Sequence, residues 1–193
     1  MTDFKVVLYG DYGVGKSALV LRLVRDEFMI TPSTIGACYL AWKANYADGK
    51  QKVLSIWDTS GQERFNSLLP MYIRGSHAII YCWDQGIPFN SKRASHMLDH
   101  ARSLSKRSLF YLVITKMDMA SETKNREAEK FAMEQDIKIF YTSSKTGEGI
   151  KEFFDTVASD LREMPMSDPP DILHVERVKQ DSRYDYSKCC HIS

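Results

Sequence analysis

Residues 4–28 read FKVVLYGDYGVGKSALVLRLVRDEF. The run from Phe4 to Tyr9 is short, apolar and rich in β-branched and aromatic residues, which is the signal of a buried strand. From Lys16 onward apolar residues recur at helical spacing, so the sequence predicts a helix over residues 16–28. Between the two lies Gly10-Asp11-Tyr12-Gly13-Val14-Gly15-Lys16-Ser17: a glycine, four residues, then glycine, lysine and serine. In that strand-to-helix setting the backbone N–H groups of Gly13, Val14, Gly15, Lys16 and Ser17 can ring an anion. The helix N-terminus adds partial positive charge, Lys16 a full one, and Ser17 can offer its hydroxyl to Mg²⁺. A glycine-rich turn that merely reverses the chain would need neither flank. Phosphate binding is therefore the reading, with ATP and GTP both open at this point.

Working outward, the same two periods alternate up to Met164. Apolar runs at 39–46, 52–58, 78–84, 109–115 and 137–143 read as further strands, and 64–74, 91–107, 123–135 and 150–164 as further helices. Asp48-Gly49 favours a tight hairpin, so the strands on either side of it should be antiparallel. The expectation is an α/β domain: a six-stranded, mostly parallel sheet with one antiparallel edge hairpin strand and about five helices. In the last helix Ile150, Phe153, Phe154, Val157 and Leu161 make one apolar face. Residues 1–164 form this domain. Residues 165–193 read as a flexible tail, because SDPPD and the polar stretch through Lys188 hold no pattern able to fold alone.

Bulk properties narrow the class. A chain of 193 residues suits one domain with a substantial core, and a net charge of +1 argues against nucleic acid as a partner. Of the four cysteines, Cys38 and Cys82 are isolated and Cys189 and Cys190 adjacent, which suits a reducing, cytoplasmic setting. No run is long enough to span a membrane, and MTDFKVV has no leader pattern. His77, His96, His100 and His174 have no metal-ligand spacing, and Met97, Leu98, Ala101 and Leu104 read as core.

Three further stretches carry chemistry. Trp57-Asp58-Thr59-Ser60-Gly61-Gln62-Glu63-Arg64-Phe65 ends a strand. Asp58 there can hold Mg²⁺ through water, Gly61 can present its N–H to a terminal phosphate, and the Gln62 amide can orient an attacking water. Thr115-Lys116-Met117-Asp118 and Ser143-Ser144-Lys145 each follow a strand. A carboxylate at Asp118 accepts from the N1–H and 2-amino group of guanine and rejects adenine. Lys116 would lay its stem over the base, and the Ser144 N–H would meet the guanine oxygen. Singly, each of these is as well read as a helix cap or a turn. Their order along one sheet weakens that reading.

GDYGVGKS, Ser33-Thr34-Ile35-Gly36, WDTSGQERF, Tyr72-Ile73-Arg74-Gly75, TKMD and the Cys189-Cys190 end together resemble the Ras superfamily of small GTPases, most closely the Rab family, over roughly the full chain. The resemblance implies a switch that binds GTP or GDP with Mg²⁺, hydrolyses GTP slowly and regulates vesicle traffic. It implies Gln62, Lys16 and Gly61 as catalytic residues. Ser17, Thr34 and Asp58 become metal ligands. Ala18, Phe28, Thr34, Thr115, Ser143 and Lys145 join the residues above around the nucleotide. Loss of the γ-phosphate would release the segments holding Thr34 and Gly61. Implied partners are effectors, through those segments and Tyr39, Trp57 and Tyr72, an exchange factor, a GTPase-activating protein and a prenyl-binding GDP-dissociation inhibitor, with the protein itself a monomer. The three aromatics serve equally well as core.

The sequence departs from that pattern at four places. Tyr12 stands where a small residue is usual, and its ring should hinder an arginine supplied by an activating protein and slow turnover. Thr115 stands where most of the family has Asn. The segment from Phe28 to Thr34, with Pro32, is about one residue short. Ala37-Cys38-Tyr39 replaces the usual residues, so effector choice does not carry over. Two other functions fit parts of the sequence: an adaptor that holds GTP with little hydrolysis because of Tyr12, and a phosphate-loop ATPase or small-molecule kinase, for which the sequence has no arginine-rich lid. The terminus CCHIS reads as two geranylgeranylated cysteines, Cys189 and Cys190, or as farnesylation of Cys190. Two chains suit the physics, because no basic patch supplies a second membrane signal. The expected location is cytoplasmic, cycling onto the cytosolic face of internal membranes.

Overall fold

The apolar runs and helical repeats fold as alternating strands and helices. A computed structural model describes residues 3–46, 48–119 and 125–164. In chain order the elements are β1 (Phe4–Tyr9), α1 (Lys16–Arg25), β2 (Ala37–Asn45), β3 (Gln51–Thr59), α2 (Leu69–Ile73), β4 (Ala78–Asp84), α3 (Ser91–Leu104), β5 (Leu109–Thr115), α4 (Arg126–Glu134), β6 (Lys138–Tyr141) and α5 (Ile150–Glu163). They build one six-stranded sheet in the order β2-β3-β1-β4-β5-β6. Only β2 and β3 pair antiparallel, from Ala37 opposite Thr59 to Asn45 opposite Gln51, and the other pairs are parallel. The hairpin closes where Asp48-Gly49 predicts it, with the Tyr46 N–H on the Lys50 carbonyl at 2.9 Å.

Helices cover both faces of the sheet, as parallel strands require. One core layer joins α1 and α5 to the sheet, and Ile150, Phe153, Phe154, Val157 and Leu161 all lie in it. The other packs α2, α3 and α4, with Leu98 and Ala101 buried as expected. Because β1, β3, β4 and β5 run the same way, their C-terminal ends bring Gly10, Thr59, Asp84 and Thr115 to one edge. In open α/β sheets that edge is where ligands bind.

Four helices differ from the expectation, one of them α4, which starts at Arg126 because the Asn125 side chain caps it, accepting from the Ala128 N–H at 3.2 Å. The first stops at Arg25, short of Phe28, because Asp26 takes a left-handed conformation (φ 56°) and its N–H closes on the Arg22 carbonyl at 2.9 Å. Residues 64–74 are not one helix: a 3-10 helix, Glu63–Leu68, gives way to α2. Pro70 sits in the first turn of α2, where its missing N–H costs nothing, but it cannot continue a helix from upstream. The third ends at Leu104 and starts at the Asn90 cap, whose side chain accepts from the Arg93 N–H at 2.9 Å. The expected tail, with Cys189 and Cys190, lies outside the described residues. Among those described, no helix is long and apolar enough to cross a membrane.

Lys5, on β1, gives a pH test of the packing. Its ammonium lies 5.7 Å from the centre of the Trp57 ring and donates to the Arg74 carbonyl at 2.8 Å, while burial lowers its pKa to about 8. Folding therefore penalises the charged form: fully below pH 8, and progressively less as pH rises towards the ordinary 10.5. Relative to Lys5→Met, the parent should gain thermal stability between about pH 7 and about pH 9.5. A difference in melting temperature that stays constant across that range would refute the assignment.

Candidate functional site

At the C-terminal edge of the sheet, five separate stretches enclose a cavity of about 380 Å³, lined by residues from the phosphate loop, 28–34, 59–61, 115–119 and 144–145. That volume suits a small-molecule site. The phosphate loop leaves β1 at Gly10 and enters α1 at Gly15, whose left-handed backbone (φ 96°) caps the helix with no side chain. The first N–H groups of α1 are thereby left to an anion. Lys16 is buried and donates to the carbonyls of Gly10 (2.8 Å) and Asp11 (2.7 Å). Those bonds brace the loop and leave one of its three N–H donors for a ligand. Burial holds its pKa below the ordinary lysine value, with Asp58 and Asp11 pulling the other way.

Ser17 and Thr34 meet hydroxyl to hydroxyl at 2.9 Å, both buried. Asp58, on β3, is fully buried and near enough to act on the Lys16 ammonium. Two hydroxyls and a carboxylate are hard oxygen donors, the set that Mg²⁺ prefers. The glycine at position 61 packs on the peptide between Asp11 and Tyr12, where an added Cβ would lie 2.3 Å from the Asp11 carbonyl. No other residue allows that approach. Gln62 follows it but does not line the cavity, and its amide oxygen accepts from Arg64 Nε at 2.6 Å. Tyr12 lines the mouth, 62% exposed, and its hydroxyl accepts from Ser33 Oγ at 3.2 Å. The ring thus bridges the phosphate loop to the segment carrying Thr34.

On the other side, Asp118 Oδ1 accepts from Ser143 Oγ at 2.6 Å, and Lys145 Nζ lies 3.9 Å from Oδ2. Ser143 does not line the cavity; it fixes the carboxylate that does. Lys116, with φ 60°, donates to the Gly13 carbonyl at 2.7 Å and to Asp84 Oδ2 at 2.6 Å. The hydroxyl of Thr115 lies 2.6 Å from the Val14 carbonyl and 3.0 Å from that of Trp83. A hydroxyl has one hydrogen, and here it is engaged by carbonyls, so Thr115 ties the two loops together and has no donor left for a base. Val14, expected at the nucleotide, does not line the cavity, and its side chain is core. Phe28 and Ala18 line the cavity. Sequence reasoning missed Asp84, although it closes the apolar run of β4 as Asp58 closes that of β3. It also missed the Arg93–Asp11 ion pair (2.5 Å), which joins positions too far apart to carry a local signal.

A sequence model described as the Ras family matches residues 5–163. The chain belongs to the Ras family. Within it, the chain is 35% identical to the Ras-related protein Rab-5A of Dictyostelium discoideum, across 98% of this chain and 96% of that protein. It is 38% identical to the GTP-binding protein ypt5 of Schizosaccharomyces pombe, across 81% and 77%. With the Ras-related protein RABF2b of Arabidopsis thaliana it shares 35% identity, across 96% and 94%. This is a Rab small GTPase: it binds GTP and GDP with Mg²⁺, hydrolyses GTP to GDP and phosphate, and acts as a switch in vesicle traffic. Its partners are of the general kinds that serve Rab GTPases: effectors, exchange factors, activating proteins and a GDP-dissociation inhibitor. On its surface Tyr39, Trp57 and Tyr72 form a continuous row, with ring centres 5.6 Å and 5.5 Å apart.

Proposed function

We propose that this Rab GTPase is a slow timer whose hydrolysis is carried by Gln62, Lys16 and Gly61. One observation supports the reading above the others: the glycine-only contact of residue 61 with the phosphate loop, beside the buried Lys16. That contact puts the backbone of the 59–62 stretch beside the anion-binding N–H groups, where a terminal phosphate is felt directly. Lys16 neutralises charge on the phosphates, the Gly61 N–H reports the terminal one, and the Gln62 amide turns a water towards it once Arg64 lets it go. Ser17, Thr34 and Asp58 would hold Mg²⁺, which would supply charge neutralisation at the phosphates. Thr34 and Gly61 thus carry the difference between the GTP and GDP states to the two mobile segments.

Asp118, oriented by Ser143, reads guanine, with Lys116 over its face and the backbone of Ser144 and Lys145 at its 6-oxygen. Effectors meet the segments beside Tyr39, Trp57 and Tyr72, whose surface changes with the nucleotide. Residues 1–164 do this work. The tail, 165–193, tethers them to the cytosolic face of internal membranes through prenyl groups on Cys189 and Cys190.

Single-turnover hydrolysis with Mg²⁺ tests the chemical core of the proposal. Gln62→Leu keeps the bulk and loses the amide, so the intrinsic rate should fall about tenfold, the worth of one hydrogen bond to the attacking water. GTP affinity should stay within about twofold, because the amide does not line the cavity. An unchanged rate would remove Gln62 from the mechanism.

A further inference from the structure

We infer that Arg22 is a positioning residue that holds the backbone of Ser144 and Lys145 against the purine 6-oxygen, and so sets part of the affinity for guanine nucleotides. The inference rests on the reading above that this backbone meets the base.

Arg22 lies on α1, its side chain only 16% exposed. Nε donates to the Ser144 carbonyl at 2.8 Å and Nη2 to the Lys145 carbonyl at 2.9 Å, across more than a hundred residues of sequence. Nη1 donates to the Asp26 carbonyl at 2.8 Å and its Oδ1 at 3.0 Å. One planar group therefore joins three stretches of the chain around the cavity. These are the helix that starts with Lys16 and Ser17, the base loop, and the turn from which the chain leaves for Phe28 and Thr34.

The loop it grips is closed on itself. The Gly147 N–H donates to the Ser143 carbonyl at 2.8 Å and the Thr146 N–H to Ser143 Oγ at 3.2 Å. The stem of Arg22 passes beneath, with Cδ 3.8 Å from where a Cβ on Gly147 would stand. The direction of pull matters. In a trans peptide the C=O and N–H point opposite ways, so drawing the Ser144 carbonyl onto α1 turns the Lys145 N–H to the other side. Ser144 and Lys145 both line the cavity. A flat fork with donors at fixed angles serves two adjacent carbonyls at once, which a lysine ammonium cannot do.

The test is competition for the full chain with Mg²⁺, in which GDP and 6-thio-GDP each displace fluorescently labelled GDP. Sulfur at position 6 is a poor acceptor, while N1–H and the 2-amino group, the partners of Asp118, stay in place. The parent should prefer GDP about tenfold. Arg22→Ala should weaken GDP about tenfold and 6-thio-GDP no more than about twofold, so the preference collapses. Arg22→Lys, reaching one carbonyl, should retain part of it, and carries the same comparison if the alanine variant does not fold. Equal weakening of both nucleotides would make Arg22 a scaffold residue and overturn the inference. So would an unchanged preference in the variants, which leaves the base reading intact. A parent with no preference would overturn the base reading and the inference together.

Discussion

Replacing Tyr12 with serine should raise activator-stimulated GTP hydrolysis about a thousandfold, because a supplied arginine is worth about 10³ or more to phosphoryl transfer and the ring stands in its way. The Tyr12 side chain lines the mouth of the cavity and is fastened there by the Ser33 hydroxyl at 3.2 Å, one residue from Thr34. A guanidinium entering from another protein has to pass between the phosphate loop and that segment, which is the gap the ring spans. Serine leaves the gap open. The intrinsic rate should rise by no more than about tenfold, because Gln62 makes its hydrogen bond to Arg64 and owes the ring nothing. Single-turnover phosphate release, with and without an activating-protein domain that supplies an arginine, separates the two effects. The same domain with its arginine changed to alanine is the control. Equal stimulation of parent and Tyr12→Ser would show that the ring swings aside and does not guard the site.

The sheet and its order of chemistry were legible because they are written locally. Strand β1, the phosphate loop and the start of α1 are contiguous, and Asp58 and Asp118 each follow an apolar run that can be read by itself. The hairpin was legible for the same reason, as two adjacent residues specify the turn. What escaped depends on partners distant in sequence or on backbone conformation. Nothing near Arg22 announces that it will meet carbonyls at 144 and 145. Thr115 reads as a weakened base contact until its hydroxyl is seen to be engaged by the Val14 and Trp83 carbonyls. Ser143 reads as a nucleotide contact, and its bond to Asp118 joins positions 25 residues apart. Helix α1 looks continuous to Phe28 because propensity does not reveal that Asp26 turns left-handed, and that turn is what frees Phe28 to line the cavity.

Asp118→Asn should lower GDP affinity at least about a hundredfold while raising affinity for xanthosine diphosphate, so that the variant prefers xanthine. The carboxylate is held in one pose, with Oδ1 bonded to the Ser143 hydroxyl at 2.6 Å and only 14% of its side chain exposed. Ionised, it can only accept, and guanine offers two donors on one edge, N1–H and the 2-amino group. An amide in the same pose keeps one acceptor and turns the other into a donor. Against guanine that sets N–H against N–H in a site with little water to relieve it. Xanthine carries an oxygen in place of the 2-amino group, and the new donor meets an acceptor. Because Thr115 has no hydrogen to spare for the base, more of the discrimination falls on this one pair of bonds. Competition of labelled GDP by GDP and by xanthosine diphosphate on parent and variant reads the exchange directly. A variant that loses both nucleotides alike would mean that Asp118 only supports its loop, and one that still prefers GDP would mean that the base lies elsewhere in the cavity.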